Sequence, residues 1–400
     1  MDVSPPTAFT IIHFNDVYNI QRTEDYPGVT NFEAYLRQVK AEFPGSLILF
    51  SGDAFSPSSL SKVYEGEQMV NCLNKLGIHA SVFGNHEFDF DPDQNAKLVK
   101  DSNFPWILGN VTYIDDPNRL LGDSSAYITK EVNGKKIGVF GVAGPDWMAI
   151  LSGEYEDALA YKDYVEYSTE MAAKLRDVEK CDFVVALCHL LQDDDKNLAA
   201  KVDGVDLVLG GHDHMILNTL VNETPVIKSG DDFNNLGVIK IYEKNKNENS
   251  NCKGRRYDFD VDIRKVPEMP PESYDKDLNT MVTKYQEDYL KNDRVVGACD
   301  VPLDTTEETI RDKESRYGNF LADLVRLFFN ADIGTVNSGS IRSSVINEPY
   351  EVRFLFVDGL FDGPLIVKEI TGKVLKEVLE NSCKSCPGGL SGAFLAVSGV

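Results

Sequence analysis

The sequence predicts an α/β layered fold for its long N-terminal part and a second, smaller α/β unit after it. Three observations carry that prediction. From Ala8 to about Gly230 short apolar runs alternate with helix-like segments. Most of the runs lack polar alternation, as strands covered on both faces do. A proline-rich stretch, Val266–Asp275, then breaks the pattern before it resumes. At 400 residues the chain exceeds a single compact core, so two domains are expected.

The apolar runs place strands at Phe9–Phe14, Leu47–Ser51, Ser81–Phe83, Lys136–Val142, Phe183–Leu187 and Asp206–Leu209. Helical spacing between them marks Phe32–Glu42, Glu67–Leu76, Tyr164–Val178 and Lys196–Val202. The polar run Glu243–Arg256 reads as a solvated hairpin tip. Domain limits follow: residues 1–275, a linker helix within 276–294 centred on Leu278–Leu290, and a second unit over 295–400. That unit is expected to hold a helix at Gly318–Phe329, a strand at Ile333–Val336 and a helix at Lys373–Glu380. It closes on an apolar run, Phe394–Val400, with nothing after it to cover it, so an incomplete domain is expected.

A net charge of −24 repels nucleic acid and anionic lipid, which argues against a nucleic acid polymer as partner. It also repels phosphate esters, so phosphate chemistry here requires positive charge concentrated locally, by metal ions and a few arginines. No apolar window is long enough for a transmembrane segment. Met1–Thr10 lacks a basic n-region, and the seven cysteines are thinly spread. Both features predict a cytoplasmic, reducing setting. Cys383-Lys-Ser-Cys386 has no second pair to complete a zinc site. Asn110-Val-Thr112 and Asn222-Glu-Thr224 fit the glycosylation pattern.

The chemistry-bearing residues fall in short segments that each follow a predicted strand. Asn15-Asp16-Val17-Tyr18 follows the first and Ser51-Gly52-Asp53 the second. Gly84-Asn85-His86-Glu87-Phe88-Asp89 follows the third. His189 and Gly210-Gly211-His212-Asp213-His214 close two later strands. Ligands gather outside the carboxyl ends of strands in such sheets, so these segments are expected to converge. Mixed oxygen and imidazole donors suit a pair of hard divalent ions, roughly 3.5–4 Å apart, that clamp a phosphate. Asp53, a lone carboxylate on a Gly-Asp turn, is the natural bridge between them. His212 and His214 are expected on one side of an extended segment, reaching adjacent ions. The three-residue spacing of His86 and Asp89 lets the carboxylate orient the ring for proton donation to a leaving alkoxide. His13 reads as a packed, hydrogen-bonded neighbour, His79 as a loop residue, and Asp193-Asp194-Asp195 as a solvated helix start.

Together these motifs resemble the calcineurin-like metallophosphoesterase signature, and the Glu-Phe-Asp continuation is similar to that of the 5′-nucleotidase family. The resemblance implies a four-layer α/β/β/α catalytic domain. It implies one metal held by Asp16, Asp53 and His214 and another by Asp53, Asn85, His189 and His212. His86 and Asp89 would be the proton-transfer pair. In the second unit Arg311, the segment Tyr317–Asp323 and Asn337-Ser-Gly-Ser-Ile-Arg342 resemble the family's substrate-binding domain. There Arg311 and Arg342 would grip the phosphate and ribose region, and Asn337 would read the base.

Two departures bear on this. Tyr18 stands where the family has a histidine, which predicts weaker binding at the first metal or a preference for manganese or iron over zinc. Tyr18 is therefore not counted among the ligands. Leu365 stands where the family has a base-stacking phenylalanine, removing on the order of 1–3 kcal/mol of stacking; Phe361 is a candidate substitute. The expected activity is hydrolysis of phosphate monoesters, 5′-nucleotides first, with two divalent ions (manganese, zinc or iron). The alternatives are a nucleotide-sugar, cyclic-nucleotide or non-nucleotide ester as substrate, and a catalytically impaired binding protein of the same fold.

Overall fold

In the computed structural model, residues 7–400 are described apart from 24–25, 152–154, 156, 245–255, 292–293, 342–345, 348–351, 354–364 and 390. Two compact units divide the chain. One runs to Ser56 and from Leu60 to Gln286; the other is Glu287–Val400 with Pro57–Ser59. The division falls inside the helix Lys276–Leu290.

The first unit lays down β1 (Thr7–Phe14), β2 (Leu47–Phe50), β3 (Ala80–Val82), β4 (Trp106–Ile107) and β5 (Val111–Tyr113). Then come β6 (Tyr127–Val132), β7 (Lys135–Ala143), β8 (Leu159–Tyr161), β9 (Phe183–His189) and β10 (Leu207–Gly210). It ends with β11 (Ile216–Val221), β12 (Thr224–Ser229), β13 (Asn235–Glu243) and β14 (Tyr257–Lys265). Two sheets of six result, ordered β14-β13-β1-β2-β3-β4 and β11-β12-β10-β9-β7-β6. In the first, β1 to β4 run parallel; in the second, β7, β9, β10 and β12 do.

Of these parallel strands β1, β2, β3, β7, β9 and β10 are legible in the sequence, because each is buried on both faces; β4, two residues long, and β12, which carries Pro225 and Lys228, are not. In β9, Val184, Ala186 and Cys188 pack with the helices Tyr164–Ala173 and Gln192–Lys201. Phe183, on the other face, meets Phe9 of the first sheet edge-on with ring centroids 5.1 Å apart. The two sheets thus face each other with helices outside, giving the four layers. Phe32 of the helix Gly28–Glu42 covers the first sheet at Phe14, centroids 5.0 Å apart. The antiparallel strands β6, β11 and β14 escaped the apolar-run criterion because they are half-polar edges. Glu243 pairs with Tyr257 across β13 and β14, so these strands form the expected hairpin, whose tip lies outside the described residues.

His13 crosses the space between the sheets. Its Nε2 is 2.8 Å from Ser51 Oγ and its Nδ1 2.8 Å from Ser229 Oγ. Burial pushes its pKa down to about 3, so the imidazole is neutral. The expectation of a packed, hydrogen-bonded role for His13 holds in this geometry. Asn110 is buried, its amide donating to Ala143 O at 2.9 Å, so that glycosylation pattern is a structural asparagine instead.

Lys228 on β12 is fully buried. Its ammonium donates to Leu190 O at 2.8 Å, to Gly211 O at 2.7 Å and to the Asp213 carboxylate. The Asp195 carboxylate sits 2.9 Å from the same ammonium and forms an ion pair with it. Asp195 corrects the reading of 193–195 as a solvated helix start: Asp193 is exposed, but Asp195 is completely buried against Lys228. Among the described residues no helix is long and apolar enough to cross a membrane.

In the second unit the helix Arg316–Phe329 is capped by Ser315, which accepts from Gly318 N at 3.0 Å. It packs beside Gly334–Asn337, paired antiparallel with Leu395–Ser398, and a small core gathers Leu303, Ile310, Tyr317, Leu321, Ile341 and Val352. The helix Gly372–Ser382 is capped by Thr371.

Removing Lys228 strands two carboxylates in the interior. Lys228→Met is expected to lower stability by about 3–5 kcal/mol in urea unfolding, against under 1 kcal/mol for a surface control such as Lys196→Met.

Candidate metal centre

The carboxyl ends of β1, β2, β3, β9 and β10 bring their segments to one place. Two groups of donors form among the described residues: Asp16, Asp53 and His214, and Asp53, His189 and His212. Within each group the donor atoms lie within 4.8 Å of one another, and Asp53 belongs to both. Asp16, Asp53 and His189 are essentially without solvent contact.

Unusual backbone makes this convergence possible. Asp16, Asp53, His212 and His214 all have left-handed φ, of 52°, 61°, 81° and 54°. That conformation costs roughly 1–2 kcal/mol for a residue with a Cβ, so neighbours must hold it. Asp16 N donates to Gly52 O at 2.9 Å and Val17 N to Asp53 O at 2.8 Å, extending the β1–β2 pairing past the strand ends. Glu87, fully buried, accepts from Gly84 N, Asp53 N, Ala54 N and Phe55 N at 2.5, 2.9, 2.6 and 3.2 Å. Gly84 leaves room for Asp53: a Cβ there would fall 1.9 Å from Asp53 Oδ1.

The extended segment expected for His212 and His214 is a tight turn instead, with Asp213 N donating to Gly211 O at 3.1 Å. The two rings still reach different donor groups, each histidine being left-handed on either side of Asp213, which is not. His212 N also donates to Asp16 Oδ2 at 2.9 Å.

His189 donates from Nδ1 to Ser51 O at 2.6 Å, which directs Nε2 to the carboxylates, 3.2 Å from Asp53 Oδ2 and 3.9 Å from Asp16 Oδ1. His86 N donates to Asp53 Oδ1 at 2.9 Å, placing the short 3₁₀ turn Asn85–Phe88 against the centre. His86 Nδ1 is 2.7 Å from Asp89 Oδ2, as the spacing suggested. Tyr18 Oη lies 2.7 Å from His214 Nε2, 3.0 Å from Asp53 Oδ2 and 3.3 Å from Asp16 Oδ1. The phenol thus sits among the donors.

The electrostatics call for a cation. Burial, with Asp53 beside it, pushes Asp16 up to about 7 against the pull of His189. Burial also disfavours charge on Asp53, yet His189, His86 and His212 hold it below the usual carboxylate range. Burial disfavours charge on His189 as well, but the two carboxylates push it up to about 10. Asn85 Oδ1 and His189 Nε2 are buried with no hydrogen-bond partner, although such atoms are rarely left so. Buried carboxylates beside an unpartnered carboxamide oxygen and imidazole nitrogen are the set a divalent ion satisfies, so the residues fit one.

Sequence reasoning missed several supporting groups. Asn15 donates to Asp16 Oδ2 at 2.6 Å, and Asp232 accepts from the backbone of Tyr18 and Asn19 at 2.8 Å each. Asn15 adjoins a motif residue and was legible; Asp232 comes from a loop more than two hundred positions away and was not.

In the second unit Arg311 is partly buried in the loop before Ser315, and Asn337 is exposed, accepting from Ser340 Oγ at 2.6 Å. Leu365 is exposed. Arg342 and Phe361 lie outside the described residues.

Residues 9–215 match the calcineurin-like phosphoesterase model. The chain belongs to the calcineurin-like phosphoesterase family. Residues 295–400 match the 5′-nucleotidase C-terminal domain. As a member of this family the chain is a hydrolase acting on phosphoric ester bonds, with divalent metal as the cofactor class. It is 26% identical to a trifunctional nucleotide phosphoesterase of Bacillus subtilis over 98% of its own length and 28% of that protein's. To the 5′-nucleotidase of Bos taurus it is 26% identical over 99% of its length and 75% of that protein's. The crystal structure of a 5′-nucleotidase precursor from Thermus thermophilus has the same fold, with a TM-score of 0.80 at 23% identity, covering 98% of this chain and 81% of that one.

Gly84→Ala is expected to cut bound metal at least tenfold, read by elemental analysis after gel filtration, while the α/β circular dichroism persists. Full metal content in that variant would show that the Gly84–Asp53 contact does not shape the centre.

Proposed function

We propose that this phosphoesterase hydrolyses phosphate monoesters, 5′-nucleotides foremost, to an alcohol and phosphate at a dimetal centre. The observation that carries the reading is the membership of Asp53 in both donor groups. One carboxylate shared by two ligand sets is what a close pair of ions requires. Asp16, Asp53 and His214 would hold one ion; Asp53, Asn85, His189 and His212 would hold the other. When bound, such ions neutralise the phosphate and acidify a water molecule.

The remaining steps belong to the protein. Asp89 accepts the Nδ1 proton of His86 and so fixes the ring's tautomer and direction. His86, anchored to Asp53 through its backbone, protonates the leaving oxygen as the ester bond breaks. Tyr18 supplies a phenol at the edge of the His86 ring, centroids 5.9 Å apart, and beside His214, where it orders the first donor group. In the second unit Arg311 and Arg342 would bind phosphate and ribose oxygens and Asn337 the base; the match of residues 295–400 to a nucleotidase domain supports this assignment.

The donors favour one class of metal. A phenol among carboxylates suits a hard ion, so manganese or iron is favoured over zinc. Leu365 supports a second reading. Without an aromatic ring at that position the base contributes less, and a cyclic-nucleotide, nucleotide-sugar or non-nucleotide ester competes as substrate.

His86→Ala is expected to reduce kcat by 10²–10⁴-fold while bound metal stays within twofold. Equal loss of metal and turnover would remove the proton-donor role. With manganese supplied, a panel of esters is expected to rank adenosine monophosphate above a plain aryl phosphate in kcat/KM. The reverse order would favour the second reading.

A further inference from the structure

The turn after β7 carries a carboxylate outside the motifs that mark the metal centre. Asp146 Oδ2 stands 2.8 Å from Nε2 of His212. Asp146 Oδ1 is buried without a hydrogen-bond partner. The residue opens the short helix Trp147–Ile150, yet its side chain caps none of that helix's amides. Capping therefore does not explain its place.

The surrounding backbone is fitted to this carboxylate. A Cβ on Gly144 would lie 2.5 Å from Asp146 Oδ1, so glycine leaves the space it fills. Gly144 N donates to His189 O at 3.2 Å, tying the turn to the end of β9. The next residue, Trp147, is buried and sets its ring across that of His189, centroids 5.6 Å apart at 69°. One short turn thus touches both histidines of the group they form with Asp53.

An imidazole offers two nitrogens, and the partner of one decides what the other can do. His189 gives Nδ1 to Ser51 O, which leaves Nε2 for a cation. His212 shows the opposite arrangement: Asp146 takes Nε2, which leaves Nδ1. A carboxylate accepting the Nε2 proton locks the tautomer with its lone pair on Nδ1, holds the ring plane and raises its basicity. We infer that Asp146 is a positioning residue of the metal centre, directing Nδ1 of His212 onto the ion that Asp53, Asn85 and His189 also hold. The inference rests on the dimetal reading above and adds a role that reading does not require.

Its test is a titration of chelator-stripped protein with Mn²⁺, following the free ion by electron paramagnetic resonance. The unmodified chain is expected to take up two equivalents. Asp146→Ala should weaken one of the two sites 10–100-fold and leave the other unchanged. Asp146→Asn, which still accepts the Nε2 proton but carries no charge, should fall between. The unfolding temperature of the metal-free variants should match that of the unmodified protein, since a merely structural role would lower it instead. Two sites of unchanged Kd in Asp146→Ala would overturn this inference alone. No uptake by the unmodified chain would overturn the dimetal reading with it.

Discussion

The confinement of Asp16 and Asp53 is the constraint on which the rest of the centre depends. Two carboxylates are held almost wholly out of water, close enough that their charges oppose each other, in a chain already carrying a net charge of −24. Imidazoles supply opposing positive charge, His189 and His212 acting on both carboxylates. Every other feature of the centre follows from placing negative charge where water does not screen it. The histidines face inward, an amide oxygen and an imidazole nitrogen are left without partners, and the loops are braced from behind.

That bracing comes from groups that are themselves ionisable and buried. Glu87 gathers four backbone amides around the Asp53 turn. Burial and the Asp53 charge push its pKa up to about 7, with the amides resisting that rise. Lys228 ties the segments after β9 and β10 through Leu190 and Gly211. Asp232 gathers the amides after β1. Left-handed backbone at four of the donor residues is sustained by these interior clamps rather than by local propensity. The pattern is that of a site whose geometry is stored in its supports, each supplied by a different part of the chain.

How much of this could be read from the sequence depended on distance along the chain. Six of the eight parallel strands and the residues at their carboxyl ends were legible, because burial on both faces leaves an apolar run and the functional residue comes directly after it. The Asp53, His86–Asp89 and His212–His214 segments were found in that way. Edge strands such as β11 and β14 were not, since water on one side dilutes the apolar signal. Partners fixed only by tertiary structure were also hidden. Asp195 looked like one of three solvated acids, and only the position of Lys228 on a neighbouring strand reveals it as interior. Asp146, in a Gly-Pro-Asp sequence, reads as an ordinary turn until His212 is placed beside it. The turn holding His212 and His214 was misjudged because residue alternation implies an extended chain, and φ is not visible in composition.

His13 gives the arrangement a further property. The candidate donors split between the two sheets, with Asp16, Asp53 and Asn85 on one and His189, His212 and His214 on the other, so any sliding of sheet on sheet would change the distances between them. A single uncharged ring, hydrogen-bonded to a serine on each side, acts as a caliper for that gap. Burial keeps the ring uncharged, so the caliper's two hydrogen bonds do not depend on a proton gained or lost near neutrality.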